Sequence, residues 1–469
     1  MFGTKFIINK VVDHSELPQI VAIVISCIPS FITGLIIAWP SPSIPKIVND
    51  KGNYDITEEE ASYFSFLNAT GPVLLSVFIS KLCDTLGRKK TLMLSAIPHA
   101  ITWIMKAFCT NINALYAARA LGSLGDTFMY NSLPMYIGEV CTPRVRGVWG
   151  NGLICALYLG LFTINTIGAY CSIKLTALIC LVFPIVFFIL FYFMPESPYY
   201  YTIKGNDEAA KESLKWLRGS DNIEEEFAKL KDNVNKQMAE PSSWKDVLTV
   251  ESNRKACLAG VFLRVSQNFC GLLAFSVYAQ YIFENAGDII DPKVSSILYT
   301  GLSFLCYIIA SNFSDKLGRR LSYITSISLT TIPLFVIAIY FVIKEYAPQL
   351  HITNYDFLPL VCMIVYIILA SFGTGLVPTL MLGELFAANV KVKSLSIVTT
   401  FFSLSFCAAN NLFYYISKYC GIFGPFFIFG GCNIVSAIAA AVIIPETRGK
   451  TLEEIQHQLK KKGQNSNAT

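Results

Sequence analysis

Acidic and basic residues recur in the same order in the two halves of this sequence. An Asp-x-x-Gly-Arg motif appears twice, and so does a glutamate followed seven residues later by a basic residue. A Pro-Glu pair ends each series. The charged residues are Asp84, Arg88, Glu139, Arg146 and Glu196 in the first half and Asp315, Arg319, Glu384, Lys391 and Glu446 in the second. Opposite charges at such matched places can form ion pairs, and the duplication predicts two structural repeats.

Two further charges lie within or beside apolar stretches, where an ionisable side chain is costly. Asp126 follows Arg119 by two helical turns, and Arg264 precedes Gln267 by one. Three interpretations stay open. Asp126 and Arg264 pair across the halves, or Arg264 attracts an anionic substrate, or Arg264 extends its charge toward water. We favour the third, because long basic side chains commonly extend in this way.

Long uncharged blocks set the class of protein. The chain has 469 residues, of which 54% are hydrophobic and 15% charged. Ten blocks contain no Asp, Glu, Lys or Arg, and two more, residues 91–108 and 112–137, carry isolated charges. A helix of about 20 residues crosses a bilayer, where backbone groups must be bonded internally. We therefore predict an all-α membrane protein with twelve transmembrane helices.

A polar stretch with an amphipathic helical pattern divides these helices into six and six. The predicted divisions are an N-tail (1–18), a first bundle (19–194), a linker (195–255), a second bundle (256–445) and a C-tail (446–469). Lys and Arg concentrate in the loops that follow even-numbered helices, which predicts that these loops and both termini face the cytoplasm. This bias accounts for the net charge of +5 without a nucleic-acid partner.

Five motifs give the sequence a resemblance to a known family. They are residues 84–90; Arg119 with 134–139 and 146–147; 195–198; 315–320; and 445–454. The chain resembles sugar porters of the major facilitator superfamily, and it looks most like insect facilitative trehalose or hexose carriers. The resemblance covers nearly the whole chain. It implies the major facilitator fold, two pseudo-symmetric six-helix bundles with a substrate site between them.

The resemblance also implies a role for the repeated charges. In this family, charges at the cytoplasmic helix ends form salt bridges between the bundles and close the inner mouth. Carried over by motif, this gate would use the ten repeated residues named above. Each pair should be weak, because exposed ion pairs contribute about 0–1 kcal/mol, and a weak latch suits a carrier that populates two states. The alternative is that these charges only anchor the topology.

The substrate site follows the family pattern only in part. Sugar porters hold hydroxyls with amides and cover the sugar ring with aromatic side chains. The matching helix 7 positions are Gln267 and Asn268, but family contact positions also fall on Ile154, Leu273 and Phe402–Ser403. Each unpaired buried hydroxyl costs about 1–3 kcal/mol, so these losses should weaken hexose binding. The predicted contacts are Gln267, Asn268, Tyr278, Ser303 and Thr379, with ordinary helix packing as the alternative for each.

We expect facilitative uniport of a sugar such as trehalose or a hexose, by alternating access, in a plasma-membrane monomer. Helix 1 has no acid between Gln19 and Trp39, which favours uniport, while Asp126 keeps proton coupling open. The alternatives are a carrier of a non-sugar organic solute and a transporter-like nutrient sensor. Such sensors have long signalling tails, whereas the tails predicted here are short.

Enzymatic activity and cofactors are not expected. The four histidines are scattered, and the sequence has no phosphate-binding Gly-Lys-Ser/Thr loop. The 14 cysteines lack metal-ligand spacing and are interpreted as small packing residues. A disulfide among Cys109, Cys171 and Cys420 stays open.

Overall fold

The computed structural model describes residues 16–54, 56–68, 70–239, 243–287, 290–313, 318–347, 349, 355–386, 390–448 and 454–455. All regular structure in these ranges is helical. Nine helices there are long and apolar enough to cross a membrane. Between the first and second of these nine, further helical segments form three more spans, which complete the twelve spans of the prediction.

The first half contains spans 1 to 6. Several spans consist of consecutive helical segments. Their bounds are Leu17–Ser26, Ile28–Ala38 and Pro40–Asn49 for span 1; Glu58–Leu67 and Thr70–Leu86 for span 2; Arg88–Leu94 and Ala96–Phe108 for span 3; Ile112–Val140 for span 4; Gly152–Tyr170 for span 5; and Ile173–Tyr192 for span 6. A short helix, Pro143–Trp149, connects spans 4 and 5.

The linker and the second half follow. The linker helices are Pro198–Ile203, Asp207–Arg218, Glu224–Ala239 and Trp244–Thr249. The later spans are Glu251–Phe269, Leu272–Val277 and Ala279–Ala286 for span 7; Pro292–Phe313 for span 8; Arg319–Tyr346 for span 9; Leu358–Ala370, a π-helical turn Ser371–Gly375 and Val377–Leu385 for span 10; Lys391–Cys420 for span 11; and Phe423–Ile443 for span 12. We call the end of the bundle that carries the linker helices the linker end.

The breaks in spans 1, 7 and 10 have local causes. Pro29 and Pro40 begin new segments of span 1, because proline is tolerated at the first helical positions and not in the interior. Gly271 interrupts span 7 with φ +92°, a conformation that favours glycine. Span 10 widens into its π-helical turn. Discontinuous helices near mid-membrane are typical of transporter binding sites.

The two halves contact each other most extensively through spans 5 with 8 and 2 with 11, and less extensively through spans 1 with 7 and 4 with 11. Between spans 5 and 8, the rings of Tyr158 and Tyr307 stack at 3.9 Å, and their hydroxyls lie 3.0 Å apart. Between spans 2 and 11, the hydroxyls of Ser80 and Ser396 lie 2.7 Å apart. Most other packing is within a half. For example, Gly34 and Gly160 let spans 1 and 5 approach so closely that a Cβ on either would collide with backbone.

The outer surface of the bundle is apolar. On span 12, Val435, Ile438 and Val442 are each about two-thirds exposed or more, and many large apolar side chains on other spans are exposed as well. An apolar surface of this extent is unfavourable in water and indicates a bilayer around the helices.

Candidate functional site

At the linker end of the first half, a buried glutamate holds the start of span 3. Oε1 of Glu196 accepts the backbone N–H groups of Arg88 at 3.0 Å, Lys89 at 2.9 Å and Ser197 at 2.9 Å. These are free N–H groups at a helix start, where a carboxylate is favourable. Gly87, at φ +100°, makes the turn, and a Cβ there would collide with the Glu196 carboxylate.

The side chain of Arg88 completes this cluster. Its guanidinium lies 2.9 Å from the Glu139 carboxylate and 3.5 Å from that of Asp84. Ser197 donates its hydroxyl to Oε2 of the same Glu139 carboxylate. Only 4% of the Arg88 side chain is exposed, so its charge depends on these carboxylates.

The second half repeats the arrangement. Glu446 accepts the backbone N–H groups of Arg319 at 3.0 Å and Arg320 at 3.2 Å. The Arg319 guanidinium lies 3.2 Å from Glu384, which also accepts the Thr447 hydroxyl at 2.6 Å. Asp315, the counterpart of Asp84, lies outside the described residues. Six of the ten predicted gate residues thus occupy matching places, and their contacts lie within their own half: Arg88, Glu139, Glu196, Arg319, Glu384 and Glu446.

Arg146 and Lys391, two further predicted gate residues, also occupy matching places in the two halves. Nη1 of Arg146 lies 3.4 Å from the carbonyl oxygen of Gly138, and Nζ of Lys391 lies 3.2 Å from that of Gly383. A cation beside the last carbonyls of a helix is favourable. Lys391 also lies within electrostatic reach of Arg146 and Glu139 in the other half. The face between the halves therefore brings two like charges together at the linker end.

The two cradled glutamates differ in the direction in which the folded protein shifts their pKa. Burial raises the pKa of Glu196 above its ordinary value, even though backbone N–H groups and Arg88 act in the opposite direction. Burial also acts on Glu446, but the backbone N–H groups of Arg448, Arg319, Arg320 and Thr447 outweigh it and lower its pKa. The same cradle thus holds a deeply buried carboxylate in one half and a half-buried one in the other.

Gln267 connects the broken spans 7 and 10. Its Nε2 donates to the carbonyl oxygens of Thr374 at 3.1 Å and Gly375 at 2.9 Å in the π-helical turn. Its Oε1 accepts from Nη1 of Arg264 at 2.8 Å. The carbonyls of the π-helical turn lack regular helical partners, so this amide satisfies groups that the irregular backbone leaves free.

The other predicted contact residues bond to their surroundings in this conformation. Nδ2 of Asn268 donates to Phe402 O and Ser405 Oγ on span 11. The Tyr278 ring stacks on Phe413 at 4.6 Å. Ser303 donates to a carbonyl one turn back in its own helix, and Thr379 lies half-buried in span 10. A substrate role for these residues stays a prediction.

A small cavity, with about the space that one water needs, lies between the halves. It is lined by Ile37, Asn68, Pro72, Asp126 and Tyr130 of the first half and by Leu273, Phe402, Ser403 and Phe406 of the second. Leu273 and Phe402–Ser403 are family contact positions at which the sequence departs from the pattern. The predicted contacts Gln267 and Asn268 do not line this cavity. They lie behind its lining, shortly before Leu273 in span 7, and Asn268 donates to the carbonyl oxygen of Phe402.

Two polar lining residues, Asn68 and Tyr130, were not predicted, and neither were the apolar Ile37, Pro72 and Phe406. A signal for Tyr130 was available, because it lies one helical turn after Asp126 on the same face of span 4. Asn68 is a buried amide in an otherwise apolar span, which is a weaker signal. Both depend on spans 2 and 4 packing beside span 11, and the sequence alone does not define that packing.

The two intramembrane charges have separate partners. Asp126 accepts the Thr33 hydroxyl at 2.6 Å and lies 3.1 Å from Nε2 of His99. Arg264 bonds to Gln267, and its guanidinium lies 5.0 Å from the centre of the Phe402 ring. In this conformation neither charge pairs with the other. His99, which looked isolated in the sequence, is the buried partner of Asp126.

Contacts between the halves lie on both sides of the cavity. Toward the linker end, the Tyr130 and Phe402 rings meet edge to face at 5.9 Å, with Ser80 and Ser396 beyond them. At the opposite end, Nζ of Lys418 lies 2.8 Å from the Glu59 carboxylate. Contacts between the halves thus lie on either side of the cavity along the bundle.

Two six-helix repeats that enclose a central cavity define a carrier of the major facilitator fold. The family described as "Sugar (and other) transporter" matches residues 20–459. The chain belongs to this family.

Named relatives agree with this assignment. The chain is 29% identical over 451 residues to the "Facilitated trehalose transporter Tret1" of Apis mellifera ligustica, covering 94% of this chain and 88% of the relative. It is 29% identical over 419 residues to the protein of the same name from Bombyx mori, covering 88% and 82%. "Trehalose transporter 1" of Drosophila melanogaster is 27% identical over 447 residues, covering 94% of this chain but 52% of its own length. The chain thus spans about half of that relative.

Solved structures show the same fold. The structure described as the MFS proton:xylose symporter XylE bound to 6-bromo-6-deoxy-D-glucose superposes with a TM-score of 0.76, at 18% identity, covering 95% of this chain and all of that one. The inward-open conformation of XylE from E. coli gives a TM-score of 0.74 at 19% identity, covering 93% and 98%. At such low identity the likeness supports the fold alone.

Proposed function

We propose that this protein is a facilitative carrier that moves a sugar such as trehalose or a hexose across a membrane by alternating access. One observation carries the proposal: a central cavity lies between two repeats, with contacts between the halves on both sides of it. A carrier must be able to separate these contacts at one end at a time. The contacts are two rings, two hydroxyls and one exposed ion pair, all of which are weak.

We infer the moving parts and their orientation from the sequence pattern. Residues 19–194 and 256–445 would rock against one another, with residues 195–255 joining them. The linker end would face the cytoplasm together with both tails, because the loops there carry the excess of Lys and Arg. The plasma membrane and a monomeric state complete the proposal. The ten repeated charges would then stabilise the cytoplasmic ends of the spans and act as the gate.

A sugar is the preferred substrate because family membership and the names of the relatives point to it. The cavity adds a specific chemistry. Its first-half wall offers oxygen acceptors, the Asn68 amide and the Asp126 carboxylate, while its second-half wall is largely apolar, with Leu273, Phe402 and Phe406. Hydroxyls on one edge of a sugar would bond to the acceptors, and the apolar face of its ring would pack on Phe402 and Phe406.

The apolar second-half wall also favours the second candidate, a carrier of a non-sugar organic solute. Such a solute would carry a hydrogen-bond donor at one end and an apolar body. Radiolabelled uptake into oocytes distinguishes the two. Trehalose, glucose and a panel of polyols and glycosides are compared with water-injected oocytes, with and without a pH gradient.

We expect saturable, sugar-dependent uptake that is independent of the pH gradient. Uptake that requires inward protons would replace uniport by symport. Uptake restricted to a non-sugar solute would favour the second candidate, and binding without transport would favour a sensor.

A matched pair of variants tests whether the cavity is the route. Ser403→Phe places a ring in the cavity, and Leu404→Phe adds a ring one residue later, where the side chain is 45% exposed on the outer surface. We expect Ser403→Phe to abolish uptake and Leu404→Phe to retain it. Equal uptake by both variants at equal surface expression would remove the cavity from the transport path.

A further inference from the structure

Spans 3 and 4 form an antiparallel helical pair that aligns buried charges. The connection between them is only three residues long, so the two helices pack side by side in opposite directions. Near the middle of the pair, His99 on span 3 lies 3.1 Å from Asp126 on span 4. Lys106 follows His99 by seven residues, and Arg119 precedes Asp126 by seven. Seven residues are about two helical turns, so Lys106 and Arg119 face one another across the same seam.

Both cations are fully enclosed. Arg119 is 0% exposed and Lys106 is 1% exposed. Nζ of Lys106 lies 4.2 Å from the Trp39 ring centre and 4.5 Å from that of Trp103. Arg119 donates from Nε to the Phe64 carbonyl at 2.9 Å and from Nη1 to the Ile36 carbonyl. Neutral carbonyls and ring faces thus surround two positive charges.

The donors of this cluster outnumber its acceptors. Within the described part of the chain, Nζ of Lys106, Nη2 of Arg119 and Nε1 of both Trp39 and Trp103 are buried without a hydrogen-bond acceptor. The neighbouring carboxylate, Asp126, accepts at Oδ1 from Thr33, and its Oδ2 is buried without a hydrogen bond to either cation. Two cations against one carboxylate leave one positive charge uncompensated, and a proton on His99 would increase the excess. A buried unpaired charge is strongly unfavourable.

We propose that a small monovalent inorganic anion of the halide class binds between Lys106 and Arg119, in the first half on the side away from the linker. Its ligands are N–H groups of an ammonium and a guanidinium, with the adjacent indoles enclosing them. A halide suits such a set, because it accepts several N–H donors and needs none in return. This inference concerns a site apart from the central cavity.

The site carries its own reporter. The chain has five tryptophans, and replacing Trp149, Trp216 and Trp244 with Phe leaves Trp39 and Trp103 as the fluorophores. The full chain, purified in detergent, is titrated with sodium iodide against sodium gluconate at constant ionic strength. Because these indoles are buried, we expect little collisional quenching and a saturating loss of emission from bound iodide. Added chloride should restore the emission by competition and raise the melting temperature relative to gluconate.

Two variants assign the effect to the cluster. Lys106→Met removes the central cation and should abolish the saturable quenching. Lys174→Met removes a surface lysine that also lies over an aromatic ring, Phe108, and should leave the quenching unchanged. Quenching that persists in Lys106→Met overturns the proposal. If Lys106→Met fails to fold, the protein that retains Lys106 tests the proposal. Quenching by iodide that is linear and insensitive to chloride overturns the proposal, whereas saturable quenching that chloride reverses supports it.

Discussion

Contacts within each half differ in kind from contacts between the halves. Within a half, charged residues at the linker end form ion pairs at equivalent positions of the two repeats: Arg88 with Glu139, and Arg319 with Glu384. Between the halves, the described contacts are a serine pair, ring contacts and the exposed ion pair of Lys418 with Glu59. The strong interactions keep each half rigid, and the weak ones join two rigid bodies that can separate at low cost.

The two buried clusters also differ from one another. The Arg88 side chain is 4% exposed and that of Glu139 16%, whereas Arg319 is 10% exposed and Glu384 32%. The first-half cluster is therefore the more deeply buried of two structurally equivalent clusters. Electrostatic interactions strengthen as water is excluded, so the deeper copy should be the more sensitive to loss of a partner.

The largest expected effect comes from Arg88→Met, compared with Arg319→Met. Removing Arg88 leaves Glu139 buried without its cation, and breaking a buried pair typically costs about 3–5 kcal/mol. The shallower Arg319 should cost about 1–3 kcal/mol, because water reaches Glu384. Thermal melting of the purified variants in one detergent measures both. Equal losses would show that depth does not distinguish the clusters.

A smaller loss is expected from Gln267→Leu, which cuts the connection between spans 7 and 10. The two carbonyl oxygens of the π-helical turn and the Arg264 guanidinium lose their partner, at about 1–3 kcal/mol for buried polar groups. Ser303→Ala is the matched control, since it removes only a bond within its own helix. Uptake kinetics separate two roles. A contact with substrate would raise KM in Gln267→Leu beyond the loss of folded protein, and a purely structural role would not.

The cradled glutamates give a pH-dependent contrast. The folded state lowers the pKa of Glu446, so its contribution to stability is present above the unfolded value of about 4.3 and is lost as the pH falls through the folded value. Glu446→Gln should therefore lower the melting temperature at neutral pH, and the difference from the parent should shrink on acidification.

Glu196 has the opposite sign. Its folded pKa is raised, so the neutral form is favoured in the folded protein, and that contribution is present at low pH and lost as the pH rises through the folded value. Glu196→Gln should thus be better tolerated at neutral pH than Glu446→Gln. A larger loss for Glu196→Gln at neutral pH would contradict this contrast. Melting curves of both variants against the parent across acidic and neutral pH measure it.

The fold could be predicted from the sequence because membrane physics leaves few choices. Uncharged blocks of about 20 residues must be helices in lipid, and duplicated motifs impose the two repeats. The helical breaks were harder to predict. Gly271 and Pro29 mark two of the breaks in the sequence. The residue types at 371–375, however, do not distinguish the π-helical turn from a regular helix, because its position depends on the hydrogen bonds that Gln267 of span 7 donates to it.

The site could be predicted only in part, for a geometric reason. The repeated charges were found because their chemistry lies in short motifs, and the structure brings Arg88, Glu139 and Glu196 together. The cavity lining was missed at Asn68 and Tyr130, because it depends on which faces of spans 2, 4 and 11 meet. The partnership of His99 with Asp126 also needs the register of two helices, which no single-span pattern reveals.

The smallest effect is expected between the halves, at Glu59 and Lys418. Each reversal alone, Glu59→Lys or Lys418→Glu, places like charges together at the end opposite the linker. The double reversal restores an attractive pair. For side chains 52% and 39% exposed, the coupling energy should be about 0.2–1 kcal/mol. A double-mutant cycle on melting temperature measures it, and uptake rates report whether the reversals favour opening at that end.

The dependence of stability on salt concentration distinguishes the Glu59–Lys418 pair from the buried clusters. At 0.15 M ionic strength the Debye length is about 8 Å and at 1 M about 3 Å, so the coupling of an exposed pair should fall as NaCl is raised. The loss caused by Arg88→Met should change little, because that pair excludes water and ions. A coupling at Glu59 and Lys418 as large and as salt-resistant as the Arg88 effect would contradict weak closure. The halves would then be held by a lock that each transport cycle must break, and turnover would be limited by that end of the molecule.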